Sequence, residues 1–177
     1  MEQAAIKAVF FDWGDTVMVN HPQYSGPMAS WPVVSAVPGA PEVLSVISDE
    51  YVLGLLTNAG ISDATLVKQA LARLGLVRFF TVVLTSQDLG AKKPEAVFFS
   101  KALEAVRCHP CQAVMVGDNY DSDVRGAKAA GLHTVWYNPA SAEPPQGERS
   151  HDFAISHLAE LPAVLAGLQG RLRRVSG

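Results

Sequence analysis

The sequence predicts an α/β protein built on a doubly wound parallel sheet, and three observations carry that prediction. Short apolar runs of strand length recur along the chain, segments of helical spacing separate them, and three of the runs stop abruptly at a polar residue or a glycine–aspartate pair. Those three are Ala8-Val9-Phe10-Phe11 before Asp12, Val52-Leu53-Gly54-Leu55-Leu56 before Thr57, and Ala113-Val114-Met115-Val116 before Gly117-Asp118. A run that is apolar on both faces suits a parallel strand covered by helices on either side. In an open sheet of this kind, residues just past the strands' carboxyl ends line one crevice, so groups distant in sequence converge there.

The elements follow in order. A strand at 7–12 opens the alternation. Residues 17–37 contain Pro22, Pro27 and Pro32 and glycine or serine turns, which exclude one long helix and predict an irregular segment. Pro38-Gly39-Ala40-Pro41 opens a helix near 40–49, followed by a strand at 51–57. Ser62 or Asp63 caps a helix at 62–74, a strand runs over 81–85, and Pro94 starts a helix at 95–106. A strand at 112–117 leads to a helix at 122–130 that Gly131 terminates, then to strands at 133–137 and 153–155 and a last helix at 158–172. Ala140 to Arg149, polar and rich in proline, reads as a surface loop.

A chain of 177 residues fits one domain, here residues 1–177, and is long enough to bury a core without disulfides. Hydrophobic residues make up 49 % and charged residues 18 %, which excludes disorder over most of the length. A net charge of -3 argues against a nucleic-acid binder, because phosphate-backbone affinity needs clustered lysine and arginine. The one basic cluster, Arg171, Arg173 and Arg174, reads as a solvated helix end. No apolar stretch approaches the roughly 20 residues of a membrane span, and the N-terminus lacks the pattern of a signal peptide, so the expected location is the cytoplasm. Cys108-His109-Pro110-Cys111 precedes a strand instead of following one and has no second pair to complete a zinc site; two reduced loop thiols are expected.

The chemistry lies in the polar ends of the strands. A carboxylate at Asp12 is placed to attack phosphorus, and because both partners are anionic it needs a cation. Mg²⁺ takes oxygen ligands, commonly one or two carboxylates with phosphate and water, and Asp12 and Asp118 are the candidates. The transferring group's oxygens need donors, which the Thr57 hydroxyl, the Lys93 ammonium and backbone amides after Asp12 and Thr57, that of Asn58 included, can supply. Singly, each residue has a plainer reading: a turn aspartate, a strand end, a solvated lysine before a helix. Gly117 to Asp123 lacks the glycine and terminal glutamate spacing of a calcium loop.

Taken together, four segments resemble the haloacid dehalogenase-like hydrolase superfamily over roughly residues 6–138. They are Phe10-Phe11-Asp12-Trp13-Gly14-Asp15-Thr16, Leu55-Leu56-Thr57-Asn58, Gly90-Ala91-Lys92-Lys93-Pro94, and Val116-Gly117-Asp118 continued through Asp123 to Gly131. The last is the most specific. The resemblance implies a Rossmann-like sheet, Asp12 as nucleophile, Mg²⁺ on Asp12, the Gly14 carbonyl and Asp118, and phosphate on Thr57, Asn58 and Lys93. It also implies that Asp123 orients the metal's surroundings or pairs with Lys93, and that the chain is a phosphatase working through an aspartyl phosphate.

The chain departs from that pattern at Gly14, where phosphatases of the superfamily carry a second aspartate as general acid and base. Asp15, one residue on, is a substitute, as are His21 and Tyr24 in the irregular segment. The missing acid leaves a second function open, a catalytically weak binder or regulator that recognises a phosphorylated ligand. Dehalogenase and phosphonoacetaldehyde hydrolase relatives also lack the second aspartate, but use a cap domain. The residues between Thr16 and Thr57, and between Asn58 and Lys93, are too few for one, and the first stretch holds no lysine for a Schiff base. A capless site is therefore expected, roofed by residues 17–37 as a flap. By resemblance such a site takes phosphorylated small molecules or larger phosphorylated substrates, or is completed by a second copy of the chain.

Overall fold

Alternate residues of the central strands point to opposite faces of the sheet, and both faces are covered, which is why the strands are apolar throughout. The computed structural model describes residues 5–145 and 149–175. In chain order the elements are β1 (Ala8–Phe11), α1 (Ala40–Ile47), β2 (Val52–Thr57), α2 (Ala64–Arg73), β3 (Val82–Thr85) and α3 (Ser86–Leu89). They continue with α4 (Ala96–Ala105), β4 (Ala113–Gly117), α5 (Gly126–Ala129), β5 (His133–Tyr137), β6 (Phe153–Ile155) and α6 (Leu161–Val175).

The strands form one parallel sheet in the order β3-β2-β1-β4-β5-β6. Val9, Phe11, Leu53, Leu55, Val114 and Val116 face a core shared with α1, α2, α6 and the irregular segment. Phe10, Leu56 and Met115 face the opposite core, filled by Phe98, Phe99 and Ala102 of α4. Gly54 belongs to this packing: a Cβ there would lie 2.6 Å from the Phe10 ring. The strand order reverses at β1, between β2 and β4, and Phe11 is in register with Leu55 and Val116, so Asp12 lies level with the ends of both neighbours.

Local signals act where the sequence puts them. Gly39 takes a left-handed conformation (φ 84°) before α1, and the Asp63 carboxylate accepts from the Leu66 amide to cap α2. Three elements differ from expectation. The helix expected at 122–130 begins earlier, as a π-helical turn over Tyr120–Arg125, and becomes α-helical only over α5. The four-residue α3, capped by Thr85, was not foreseen because a single turn offers no periodicity to read. The last helix enters through a 3₁₀ turn at Leu158–Glu160 and extends to Val175.

No domain is inserted between β1 and α1 or between β2 and Lys93; the first connection holds only a 3₁₀ turn, Met28–Ser30. Of the tail cations, Arg171 lays its guanidinium over the Phe153 ring, while the Arg173 side chain lies outside the described residues, as do 146–148 of the polar loop. Cys108 and Cys111 are free thiols, with His109 Nδ1 3.3 Å from the Cys111 sulfur. No helix among the described residues is long and apolar enough to cross a membrane.

Candidate active site

Lys93 organises the end of β1. Its ammonium has three protons to give, and it lies 2.5 Å from Asp12 Oδ1, 2.7 Å from Asp123 Oδ1 and 2.8 Å from the Leu56 carbonyl. Burial works against the charge, but the Asp12 and Asp123 carboxylates outweigh it and raise the lysine's pKa. Lys93 is fixed from behind by Asn58, whose side-chain amide donates to the Lys93 carbonyl (2.8 Å) and accepts from the Lys93 amide (2.9 Å). The Asn58 side chain is thus spent on positioning the lysine.

Asp123 reaches the lysine because the π-helical turn carries it inward over Gly117. A Cβ at residue 117 would fall 2.3 Å from Asp123 Oδ2, so only glycine permits the approach. Asn119 secures the turn by accepting from the Ser122 amide, and its own amide donates to Asp123. π-Helical turns of this kind often mark functional sites.

Asp118 is held by neutral donors. Its Oδ1 accepts from the Thr16 hydroxyl, which in turn accepts from the Asp118 amide, both at 3.2 Å, and its carbonyl accepts from the Trp136 indole at 3.0 Å. Burial, then the Asp12 and Asp123 carboxylates, push Asp118 up to about 7. Asp123 is raised to about 6 by burial and by Asp12, with Lys93 holding it back. Oxygens from Asp12, Asp118 and Asp123 lie within 4.8 Å of one another. Three carboxylates against one ammonium leave a negative excess, and an all-oxygen donor set suits a hard cation, so these residues fit Mg²⁺. Asp12 and Asp118 line the cleft and would be the carboxylates to hold it, whereas Asp123 is fully buried behind Lys93.

These groups face a cleft of about 330 Å³. Thr57, Asn58 and Ala59 line it on the β2 side, and Asp118, Asn119 and Ser122 on the β4 side. Asp12, Trp13 and Gly14 lie between them, and Met28 comes from the irregular segment. The cleft brings together Asp12, Gly14, Thr57, Asn58, Lys93 and Asp118; Asp123 stands behind Lys93. Asp15 is not among them. It adopts φ 58°, is exposed, and its carboxylate accepts from the Asn20 amide, because the one-residue offset turns it out of the cleft. His21 and Tyr24 also lie outside the lining. They pack against Trp31 in an aromatic knot, and His21 Nε2 is 3.3 Å from the Ser35 hydroxyl.

The model of the haloacid dehalogenase-like hydrolase family matches residues 15–137. The chain belongs to this family. The chain is 36 % identical over 141 residues to ribulose-1,5-bisphosphate 5-phosphatase of Halopiger xanaduensis, covering 75 % of this chain and 58 % of that protein. It is 36 % identical over 144 residues to glyceraldehyde 3-phosphate phosphatase of Pyrococcus furiosus, covering 78 % of this chain and 58 % of that one. The chain therefore spans little more than half the length of these curated relatives. A crystal structure of a protein from Listeria monocytogenes serotype 4b is 26 % identical, with a TM-score of 0.83 over 93 % of this chain and 99 % of that one.

Four contributions to the site were not assigned from sequence. Thr16 stood in the first segment without a role, yet it is fully buried and bonds Asp118 twice. The side-chain clamp of Asn58 on Lys93, the Trp136 bond to the Asp118 carbonyl and the entry of Met28 into the cleft are contacts between distant segments. A threonine buried in a turn is a readable signal for the first; nothing local announces the others.

Proposed function

We propose that this hydrolase is a Mg²⁺-dependent phosphatase that cleaves phosphate monoesters through a phosphorylated Asp12. The observation that carries the reading is the convergence of Asp12, Thr57, Lys93 and Asp118 on one cleft at the reversal of strand order. Lys93 pairs with the Asp12 carboxylate and fixes its direction. An Asp12 oxygen attacks phosphorus, the bond from phosphorus to the ester oxygen breaks with its electron pair going to the leaving group, and an acyl phosphate forms. Mg²⁺ held by Asp12, Asp118 and the Gly14 carbonyl would offset the charge of the phosphoryl oxygens. Thr57 offers a hydroxyl to those oxygens; among the described residues no side-chain partner occupies it. Water then attacks phosphorus, the bond from phosphorus to the Asp12 oxygen breaks with its electron pair returning to the carboxylate, and inorganic phosphate leaves while the water's proton passes to solvent. With Gly14 in place of an acid, the leaving oxygen draws its proton from solvent in the open cleft, which suits good leaving groups. The substrates proposed are phosphorylated small molecules.

The test is phosphate release from p-nitrophenyl phosphate. It should require Mg²⁺, disappear with EDTA, and be lost in Asp12→Asn. Hydrolysis by the Asp12→Asn variant at the wild-type rate would refute the assignment. Gly14 also favours a second reading, a phospho-ligand binder with vestigial turnover. That reading predicts Mg²⁺-dependent phosphate binding with no release from the activated ester.

A further inference from the structure

We propose that Met28 is the specificity-determining residue of this cleft, selecting phosphoryl compounds whose leaving group presents a flat aromatic face, and that Arg73 is its positioning residue. The inference rests on the reading of the cleft as a phosphoryl site and names the class of leaving group it takes.

Met28 is the one residue of the irregular segment that lines the cleft. Methionine is ordinarily the most adaptable apolar side chain. Here it is held at its sulfur, because the Trp13 indole N–H donates to Met28 Sδ and Trp13 is itself 1 % exposed, locked in the core beside the nucleophile. The turn that carries it is closed from beneath by the Trp31 indole, which donates to the Gly26 carbonyl at 3.1 Å. From the outside, Arg73 at the end of α2 donates to the carbonyls of Ala29 (3.0 Å), Trp31 (2.6 Å) and Pro32 (3.4 Å).

The strand order gives the cleft two unlike sides. Beyond Asp118 on the β4 side lie polar Asn119 and Ser122; beyond Thr57 on the β2 side lie Asn58, its side-chain amide taken up by the Lys93 main chain, and Ala59, and the Met28 turn packs on α2, which follows β2. With the phosphoryl group on the polar floor, a leaving group turned to the β2 side meets Met28 and Ala59. A hydroxyl-bearing leaving group would set donors against a thioether and a methyl group that repay them poorly. An aromatic ring loses nothing there and gains contact with the sulfur.

Binding of two non-hydrolysable ligands, phenylphosphonate and methylphosphonate, to the whole chain in Mg²⁺ reads this directly by calorimetry. The wild type should bind the phenyl compound about tenfold more tightly, as burying one ring against methionine implies. Met28→Ala should bring the ratio close to one, and Met28→Leu, which restores the apolar volume, should keep it. Arg73→Gln should lower the ratio about threefold while leaving methylphosphonate affinity unchanged, and should add nothing in the Met28→Ala background, since it acts through Met28. Thr57→Val should weaken both ligands equally. A wild-type ratio near one, or an unchanged ratio in Met28→Ala, overturns the inference while the phosphoryl site stands. An Arg73→Gln loss shared equally by both ligands overturns the positioning role. If neither phosphonate binds the wild type, the phosphoryl-site reading fails and takes the inference with it.

Discussion

On the floor of the cleft, Lys93 is 2 % exposed and gives its protons to two carboxylates and a carbonyl, while Asn58 holds its main chain on both sides. In the irregular segment expected as its roof, residues 17–37 are joined by the Val19–Ser35 and Val37–Val17 backbone bonds, packed around an aromatic knot, and bonded from outside by the exposed Arg73. The floor sets charges that would be costly to move, whereas the roof sets shape through contacts that are individually weak. The two regions are thus held by different forces, and substitutions should separate them.

The largest effect is expected on the floor. Lys93→Met removes the ammonium beside fully buried Asp123 and should cost about 3–5 kcal/mol in denaturant unfolding, as breaking a buried pair does. Lys93→Met combined with Asp123→Asn should recover part of it. A loss under about 1 kcal/mol would mean that the floor is no more rigid than the roof.

Gly14 lies between the two regions. Its φ is not positive, and a Cβ there meets nothing within 4 Å, so Gly14→Asp should fold normally. It should raise turnover of alkyl phosphates by up to about 10²-fold, the low end of general acid catalysis, and flatten the dependence of rate on leaving-group pKa. An unchanged rate in a well-folded variant would place the missing proton donor elsewhere.

The charge on the floor has a pH signature. Asp118 is raised to about 7 and Asp123 to about 6, so the native metal-free protein binds more protons than the unfolded chain between about pH 4 and 7. Stability should therefore fall as pH rises through that window. Mg²⁺ should restore it, and by more at about pH 7.5 than at about pH 5, because protons compete with the ion for the carboxylates. A thermal melt whose Mg²⁺ response is independent of pH would contradict this. The smallest effect belongs to the roof: Arg73→Gln should change global stability by less than about 1 kcal/mol, since exposed charge contacts contribute little.

The sheet and the floor were legible in the sequence because each rests on a local signal. Apolar runs of fixed length gave the strands, and the polar residue closing three of them gave Asp12, Thr57 and Asp118. The Lys93 ammonium was read as a donor to phosphate, while the parts of Gly14 and Asp123 came only from the resemblance of the four segments to the family. The π-helical start at Tyr120 was not legible, because its cause is the approach of Asp123 over Gly117, a contact across a turn. Asp15 was offered as a substitute acid on proximity in sequence, but its left-handed backbone and its bond to Asn20 turn it outward. Residues 17–37 were read as an irregular flap with His21 and Tyr24 offered toward the site, whereas Met28 is the residue of that segment that lines the cleft. Trp13 bonds the Met28 sulfur and Arg73 the carbonyls just after it, contacts that a proline-rich segment does not announce.

The central claim is that Asp12 is the nucleophile of a site without a second acid. Acid quenching of the wild type during turnover of p-nitrophenyl phosphate, followed by peptide mapping by mass spectrometry, tests it most directly. The account predicts a phosphoryl group on the peptide containing Asp12, absent from Asp12→Asn and less abundant in Gly14→Asp, where the new carboxylate speeds its hydrolysis. Sustained phosphate release with no label on Asp12, or with the label on another residue, would contradict it.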